Sequence, residues 1–238
     1  MLVVSNGMPK SGSTYLRNLI AGCLNNKYRC LVQSNLLSIT QEANINRIGG
    51  YIPNLDQALL SQISIKAKDK GPVVIKTHES ISSLQPWTKH SCTLFVYTYR
   101  HPLDVLLSAR DHAIRSANLN GTEFECFLDD DKAILATKDF CKTGIEWRNS
   151  GHAHMVKYED LVKNPRDTIQ QLFEATGIHM SIPCVEKAIN DEINTRAKGK
   201  NQFNKGLTTR YKEEMLNPLL SKCINNLAIE TEALGYKI

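Results

Sequence analysis

The sequence predicts a single α/β domain with a central parallel β-sheet flanked by helices. The first observation is that four short runs rich in β-branched and aromatic residues alternate with longer stretches of helical periodicity. Strands separated in this way by helices pair in parallel, with helices on both faces of the sheet. The second is size, because 238 residues, 42% of them hydrophobic, suit one domain with a proper core, or at most two.

The predicted strands are short, and each is bounded by Gly, His or polar residues. They cover residues 2–5, 72–76, 93–99 and 153–158. In an open α/β sheet, ligands bind outside the carboxyl ends of the strands. The residues that follow each strand are therefore the ones we expect at the functional site.

Six stretches space their apolar residues as amphipathic helices do. They cover residues 12–24, 55–68, 102–116, 132–149, 165–176 and 216–234. Segments 27–53 and 197–210 are the least regular, and the second is long for a loop in a compact domain. Loops of that length are usually functional or disordered. The acidic run at 129–131 is typical of a solvated helix start.

Composition excludes several classes of protein. The net charge of +5 is compatible with an anionic ligand, but it is too small and too scattered to indicate nucleic acid. Seven cysteines without a C-x-x-C pair argue against a disulfide framework or zinc ribbon and indicate buried thiols in a reducing cytosol. There is no signal-peptide layout and no apolar run near the roughly 20 residues of a membrane span. We therefore expect a cytoplasmic protein.

The first strand leads into a glycine-rich stretch, NGMPKSGSTYL. Gly7, Gly12 and Thr14 match the nucleotide-binding loop G-x-x-x-x-G-K-[ST]. However, Ser13 stands in place of the lysine, and a lysine comes early instead, at Lys10. The N–H groups of such a loop would bind an anion at the start of a helix, but a nucleoside triphosphate needs the lysine late. Two interpretations remain, an ordinary glycine turn capped by Ser and Thr or a loop for another phosphate-bearing ligand.

The other strand ends also carry polar and cationic side chains. Lys76 and His78 lie at and just after the end of the second predicted strand, Arg100 follows the third, and Tyr158 ends the fourth. Arg100 stands where a metal-binding aspartate would be needed in a triphosphate site. A site of this kind must neutralise its anion with lysine, arginine and backbone dipoles, without metal.

Five segments together resemble the PAPS-dependent sulfotransferases of the cytosolic type. They occur in the family's order, and they are PKSGSTYL at 9–16, VVIKTHES at 73–80, YTYRHPLDVLLSARDH at 97–112, KYEDLVKNPRDTIQQLFEATGI at 157–178 and FNKGLTTRYKEEM at 203–215. The resemblance implies a P-loop NTPase-like three-layer sandwich and one sulfotransferase domain over residues 1–238. It also implies sulfuryl transfer from 3′-phosphoadenosine 5′-phosphosulfate (PAPS) to a hydroxyl or amine, with 3′,5′-bisphosphoadenosine (PAP) as product and no metal.

The resemblance assigns three catalytic residues. His78 would act as the general base on the acceptor, and Lys10 would meet the charge that develops on the leaving phosphate. Lys76 shares a side of the strand with His78 and would contact the sulfuryl oxygens. The alternatives are a structural histidine and a solvated lysine at the strand end.

The resemblance also assigns the nucleotide contacts, with Arg100 and Ser108 at the 3′-phosphate and Tyr15 and Tyr158 at the adenine. The full set is Lys10, Ser11, Gly12, Ser13, Thr14, Tyr15, Arg100, Ser108, Tyr158, Lys205 and Gly206. Core packing is the alternative for both tyrosines, and Tyr15 replaces the family's tryptophan. The sequence departs from the family at Asn204, where an arginine is expected, and the substitutes considered are Lys200 and Arg210.

The acceptor is the part of the reaction that the sequence specifies least. A small alcohol, phenol, lipid or natural-product hydroxyl beside His78 is expected. Tyr51, Trp87, Phe124 and Phe127 would line its pocket or belong to the core. Two other functions stay open, a magnesium-dependent P-loop kinase of a small molecule and a non-catalytic nucleotide-binding module. The oligomeric state also stays open.

Overall fold

The structure is a computed structural model, and it describes residues 1–28, 32–42, 45, 47, 50–84, 93–197 and 207–237. Four parallel strands form one sheet in the order β2-β1-β3-β4. They are β1 (Leu2–Gly7), β2 (Val73–Lys76), β3 (Thr93–Tyr99) and β4 (His154–Lys157). The predicted fold class and the four predicted strands are confirmed, and the first strand extends further than expected, to Gly7.

Helices cover both faces of the sheet and one of its ends. Within the described residues they are α1 (Ser13–Tyr28), α2 (Val32–Glu42), α3 (Gln57–Lys70), α4 (Ile81–Leu84), α5 (Pro102–Ala117), α6 (Asp130–Ser150), α7 (Tyr158–Lys163), α8 (Pro165–Ala175), α9 (Ile182–Ala197), α10 (Arg210–Glu213), α11 (Pro218–Asn226) and α12 (Ala228–Ala233), with a 3-10 helix at Glu125–Leu128. The acidic run at 129–131 does begin a helix, because the Asp129 carboxylate accepts a hydrogen bond from the Lys132 N–H at 2.9 Å.

Two of the predicted segments are wrong in part. The predicted helix at 216–234 is two helices, α11 and α12, which meet at Leu227. Pro218 starts α11 because its fixed φ suits the first turn, and the Asn217 side chain caps that turn by accepting from the Leu219 N–H. Segment 27–53 was expected to be irregular, but it contains α2, whose buried residues follow helical spacing. Helices α7 and α9 were not predicted.

Alternation along the strands directs side chains to two separate cores. Leu2 and Val4 of β1 pack on one face with residues of α2, α3 and α6, whereas Val3 packs on the other face with residues of α1, α8 and α9. Successive side chains of a strand point to opposite faces, so a strand buried on both sides is apolar throughout. The result is the three-layer arrangement of helices, sheet and helices.

The carboxyl ends of the strands form the crevice where a ligand is expected. The chain leaves β1 toward β2 on one side, and it leaves β3 toward β4 on the other side. The gap between β1 and β3 is therefore the topological switch point of the sheet. Gly7 lies there opposite Thr98, and a Cβ on Gly7 would come within 2.0 Å of Thr98 Oγ1. Only glycine allows the backbones of β1 and β3 to approach this closely.

A third apolar cluster supports the end of the crevice. Residues of α5, the 3-10 helix, α6, α10 and α11 contribute to it. The expectation of buried thiols holds for Cys23, Cys141 and Cys223, but it is wrong for Cys126, which is exposed. In the part of the chain that the structure describes, no helix is both long enough and apolar enough to cross a membrane.

Candidate active site

The loop between β1 and α1 is fastened to the neighbouring strand. The Ser11 hydroxyl is fully buried, and its Oγ lies 2.6 Å from the Met8 carbonyl oxygen and 2.9 Å from Thr98 Oγ1. This predicted ligand residue therefore uses its hydroxyl inside the loop. Lys10 has φ 66° and Gly12 has φ 86°, so the backbone twice enters the left-handed region. Such turns orient successive N–H groups toward one point, as an anion site requires.

Gly12 is required by its conformation and by its neighbour. A Cβ at this position would lie 2.7 Å from Cδ2 of Tyr158. The next residue, Ser13, is buried, and its carbonyl oxygen accepts a hydrogen bond from Ser5 Oγ at 3.3 Å. Thr14 is exposed in the first turn of α1. The loop therefore brings the start of α1 directly against the tyrosine that follows β4.

The Lys10 side chain lies beside α5 and the loop that follows it. Its Nζ is 3.3 Å from His112 Nδ1 and 5.6 Å from the centroid of the Phe124 ring. Burial, and then the positive charge of Arg115, lower the pKa of Lys10 to about 8, although the carboxylate of Glu123 opposes this shift. A lysine in such surroundings binds an anion favourably, because the negative charge of the anion stabilises the charged ammonium that burial disfavours.

His78, just after β2, is held by the residue at which the loop before α1 begins. Its Nδ1 lies 2.7 Å from the carbonyl oxygen of Gly7. A carbonyl oxygen can only accept, so Nδ1 carries the proton and Nε2 keeps its lone pair. Burial and the charge of Lys76 lower the pKa of His78 to about 4, so the ring is neutral near pH 7. This is the state that a general base requires.

Lys76 and Tyr51 complete this side of the crevice. Tyr51 bridges to Lys76 in parallel at the edge of the sheet. The Lys76 Nζ lies 5.1 Å from the centroid of the Tyr51 ring, and that ring is 5.6 Å from the ring of His78. Burial and the charge of Lys10 lower the pKa of Lys76 to about 8. Two lysines that affect each other electrostatically, beside a neutral imidazole, indicate a site for a compact, multiply charged anion.

Arg100 connects the loop, α5 and the chain after residue 206. It is almost fully buried, and one of its terminal nitrogens donates to the Leu207 carbonyl at 2.7 Å, while the other donates to the Lys10 carbonyl at 3.4 Å. The guanidinium lies 4.3 Å from the centroid of the Tyr158 ring and pairs with Asp104 at 3.4 Å. Among the described residues, its buried Nε has no hydrogen-bond partner. An unpaired donor on a buried arginine favours an anionic ligand at this position.

Asp104, which was not predicted as a site residue, holds the segment after residue 206. This carboxylate is fully buried and accepts hydrogen bonds from the Thr209 N–H at 3.0 Å and the Tyr211 N–H at 2.9 Å. The sequence does place Arg100 and Asp104 four residues apart near the start of a helix, a spacing at which opposite charges can pair. The spacing does not indicate, however, that the Asp104 carboxylate would bind the distant backbone at Thr209 and Tyr211.

Arg210, one of the two residues considered in place of the family's missing arginine, is engaged by other side chains. Arg210 is bound by two carboxylates, with 2.5 Å between its terminal nitrogen and Asp111 and a second pair with Glu214. A guanidinium saturated in this way is not free for a phosphate. The other predictions in this segment, at Lys200, Asn204, Lys205 and Gly206, fall outside the described residues.

The remaining predicted residues lie at different depths. Ser108 is buried in α5, about two turns after Arg100. Tyr15 packs in the core between α1 and the sheet, so its predicted contact with adenine stays a prediction. Of the predicted pocket residues, Phe127 is fully buried in the third apolar cluster, whereas Phe124 is partly exposed beside Lys10. Trp87 lies outside the described residues.

The structure thus brings the predicted strand ends together. The carbonyl of Gly7 contacts His78, and Tyr158 contacts both Gly12 and Arg100. Lys10, Lys76 and Arg100 bring positive charge to this crevice, and Asp104 pairs with Arg100. Among the described residues, no group of three His, Cys, Asp or Glu side chains could hold a metal ion.

The sulfotransferase domain family matches residues 2–226. This match covers most of the 238 residues, so the chain belongs to that family. The suspected family resemblance is confirmed.

Two curated relatives come from Arabidopsis thaliana. Cytosolic sulfotransferase 11 is 25% identical over 183 residues, which are 72% of this chain and 50% of that protein. Cytosolic sulfotransferase 7 is 23% identical over 211 residues, which are 80% of this chain and 60% of that protein. The chain therefore spans between half and three-fifths of the length of the curated relatives it matches.

Solved structures share the fold. Retinol dehydratase in complex with androsterone and inactive cofactor PAP superposes with a TM-score of 0.61 at 13% identity, covering 100% of this chain and 82% of that one. A mouse sulfotransferase complexed with PAP superposes with a TM-score of 0.53 at 14% identity, covering 99% and 88%. At these identities the similarity shows a common fold.

Proposed function

We propose that residues 1–238 act as one sulfotransferase domain, which moves a sulfuryl group from PAPS to a hydroxyl or amine of a small-molecule acceptor. The observation that carries this proposal is the hydrogen bond of 2.7 Å between His78 Nδ1 and the Gly7 carbonyl. It joins the candidate base directly to the candidate phosphate loop. Membership of the sulfotransferase domain family supports the reaction class, and the PAP in two structural neighbours supports the donor.

The residues of the crevice fit such a donor. PAPS carries phosphate at two positions and supplies the sulfuryl group. Lys10 and the N–H groups of the loop would bind its 5′ end. Arg100, whose buried Nε has no hydrogen-bond partner in the described part of the chain, and Ser108 would bind the 3′-phosphate. Tyr158 lies against both Gly12 and Arg100, which supports its predicted place at the adenine.

His78 would act as the general base. Its Nε2 takes the proton of the acceptor hydroxyl while the acceptor oxygen bonds to sulfur and the bond between sulfur and the 5′-phosphate oxygen breaks. The electron pair of the broken bond stays on the phosphate, and PAP leaves. The Gly7 carbonyl keeps the imidazole oriented and stabilises the imidazolium that forms.

The two lysines would stabilise charge on either side of the sulfuryl group. Lys10, at the tip of the loop, meets the negative charge that grows on the leaving phosphate. Lys76, two residues before the base, contacts the sulfuryl oxygens. Because burial lowers the pKa of both ammonium groups to about 8, a bound anion would raise these pKa values and keep both groups charged.

The acceptor would bind on the Tyr51 side of His78. The rings of these two residues lie 5.6 Å apart, which leaves an aromatic surface next to the base. A small alcohol, phenol, lipid or natural-product hydroxyl fits this chemistry. The androsterone bound by retinol dehydratase supports a small molecule as the acceptor, and the cytosolic relatives support a cytoplasmic location.

A transfer assay with ³⁵S-labelled PAPS tests the proposal. The chain is incubated with a panel of phenols, alcohols and amines in EDTA, with His78→Ala as the paired variant. Label is expected in an acceptor with the wild type only. Phosphoryl transfer from ATP–Mg²⁺ without any sulfuryl transfer would overturn the proposal in favour of a kinase. PAP binding with equal, background label in both proteins would favour a non-catalytic module.

A further inference from the structure

The Lys10 ammonium is one end of a chain of three polar side chains. Its Nζ lies 3.3 Å from His112 Nδ1, and His112 Nε2 lies 2.7 Å from the Glu123 carboxylate. The His112 side chain is 15% exposed, whereas that of Glu123 is 71% exposed. The chain therefore runs from the interior of the site to solvent.

Chemistry fixes the direction of each hydrogen bond. A carboxylate can only accept a hydrogen bond, so His112 Nε2 carries the ring proton and donates a hydrogen bond to Glu123. An ammonium can only donate, so the lone pair of His112 Nδ1 accepts from Lys10. These two hydrogen bonds therefore require the neutral imidazole with its proton on Nε2, and the Glu123 carboxylate favours that tautomer.

The backbone after α5 is folded to create this contact. The Gly121 N–H donates to the Ser116 carbonyl at 2.8 Å, and the Glu123 N–H donates to Ser116 Oγ at 3.2 Å. These bonds return the loop along the last turn of α5, so that Glu123 meets a residue one turn earlier. Phe124 follows with φ 60°, and its ring meets the ring of His112 edge-on at 5.2 Å.

We propose that His112 and Glu123 are positioning residues, which orient the Lys10 ammonium for its contact with the leaving phosphate. This proposal rests on the sulfotransferase function proposed above. A lysine side chain is a flexible stem that ends in a compact charge with three donors. One donor is used on His112, and two remain for the ligand. Orienting the ammonium before the reaction removes an ordering cost from the transition state.

The electrostatic surroundings give Glu123 a second effect. Arg115 and Arg100 favour loss of the Lys10 proton, whereas Glu123 and Asp111 favour its retention. Glu123 is the largest of the contributions that retain the proton, although its exposure to solvent weakens it. In the part of the chain that the structure describes, the titratable and charged groups around the ammonium are Lys76, His78, Arg100, Asp111, His112, Arg115 and Glu123.

The first test is the titration of the Lys10 ammonium by ¹⁵N NMR of lysine side chains in the ligand-free chain. Glu123→Gln removes a charge at an exposed position without threatening the fold. It is expected to move the Lys10 midpoint to lower pH by a few tenths of a unit, roughly as expected for a screened pair. Glu125→Gln, an exposed neighbour, is the matched control and should leave the midpoint in place.

The second test compares two substitutions of His112. His112→Phe keeps a ring but removes the acceptor, whereas His112→Asn keeps an acceptor close to the position of Nδ1. We expect kcat for sulfuryl transfer to fall about tenfold with Phe and by less than about threefold with Asn, with KM for the acceptor nearly unchanged. Equal losses in both variants, or an unchanged kcat and Lys10 titration with Phe, would overturn the proposal.

The two proposals fail in different ways. If the wild type neither binds PAP nor transfers label, the sulfotransferase function fails. The Lys10 titration still decides in that case whether His112 and Glu123 hold the ammonium. If the wild type is active but Glu123→Gln and His112→Phe leave both kcat and the Lys10 midpoint unchanged, only the positioning role is wrong.

Discussion

Two regions flank the Lys10 ammonium, and each contributes an imidazole. At the end of β2, His78 bonds to the carbonyl of Gly7 at 2.7 Å. On α5, His112 bonds to the carboxylate of Glu123 at 2.7 Å. The two distances are equal, but a carbonyl carries no net charge and a carboxylate does. This difference between the partners, a neutral carbonyl for His78 and a charged carboxylate for His112, gives the two rings different roles.

The comparison shows how one side chain type serves two functions in the same site. The Gly7 carbonyl orients His78 but does not offset burial, which together with Lys76 lowers the pKa of the ring to about 4 and leaves a neutral base. The Glu123 carboxylate fixes the other ring as an acceptor and adds negative charge near Lys10. Surroundings assign acid–base roles, as they do in other enzymes with paired titratable groups.

Removal of the base should have the largest effect. His78→Ala is expected to lower kcat by about 10²–10⁴-fold, because a general base contributes that much to proton transfer. PAP binding should persist, since the phosphate contacts stay in place. His152→Ala, a change at a residue outside the crevice, is the control. Sulfuryl transfer at the wild-type rate by His78→Ala would show that another group takes the proton.

Removal of the loop lysine should come next. Lys10→Met is expected to lower kcat and kcat/KM together by roughly 10²–10³-fold, as for loss of a donor aimed at developing charge. Lys142→Met, at an exposed position of α6, is the control. Steady-state kinetics with PAPS distinguish the outcomes. A change in KM alone would mean that Lys10 binds the ground state and not the transition state.

The pH dependence of ligand binding should be smaller and should come from both lysines. Because their pKa values are about 8 and bound phosphate favours the charged forms, PAP affinity should be constant below pH 8. Above it, affinity should fall by up to about tenfold per pH unit for each lysine. Calorimetric titrations between pH 7 and pH 9.5 measure this, and an affinity that does not change over the range would contradict it.

The ligand-free protein should respond to pH in the opposite sense. The folded pKa of each lysine, about 8, lies below the ordinary value of 10.5, so the unfolded chain holds more protons between these values. The contribution of these lysines to stability therefore rises with pH across that window. This follows because burial of each charged ammonium opposes folding, and for Lys76 the positive charge of Lys10 adds to that cost.

Removal of one of these buried charges should give the smallest effect. Lys76→Met removes one of the two charges and is expected to raise the melting temperature of the ligand-free chain by about 1–4 °C. The same variant should lose sulfuryl transfer. Differential scanning calorimetry of Lys76→Met beside Lys142→Met makes the comparison. A lower melting temperature for Lys76→Met would show that Lys76 stabilises the fold.

Much of this architecture could be predicted because it depends on local patterns. Strand β3 lies where its apolar run predicted it, and the residues after the strands do meet in one crevice. Helix α2 was missed because Ser, Asn, Thr and Gln obscure its buried face of Val32, Leu36 and Ile39. The predicted helix at 216–234 was wrong in part because a capped proline delays its start to Pro218 and because the chain interrupts it at Leu227, where α11 ends and α12 begins.

The less predictable contacts depend on chain reversals. Glu123 reaches His112 only because the loop after α5 returns along the helix, and no spacing in the sequence indicates that turn. Asp104 binds backbone more than 100 residues away, at Thr209 and Tyr211. Arg210 was considered for a phosphate, but its partners Asp111 and Glu214 become visible only in the folded chain.

Thermal unfolding tests most directly whether the crevice binds the 3′-phosphorylated nucleotide. It compares PAP with AMP, which lacks the 3′-phosphate, and with ATP–Mg²⁺. A ligand at about 100 times its Kd adds roughly 2.7 kcal/mol, which for a chain of this size raises the melting temperature by about 5–10 °C. We expect this increase with PAP in EDTA and little with AMP. An increase with ATP–Mg²⁺ alone would contradict the account and indicate a kinase.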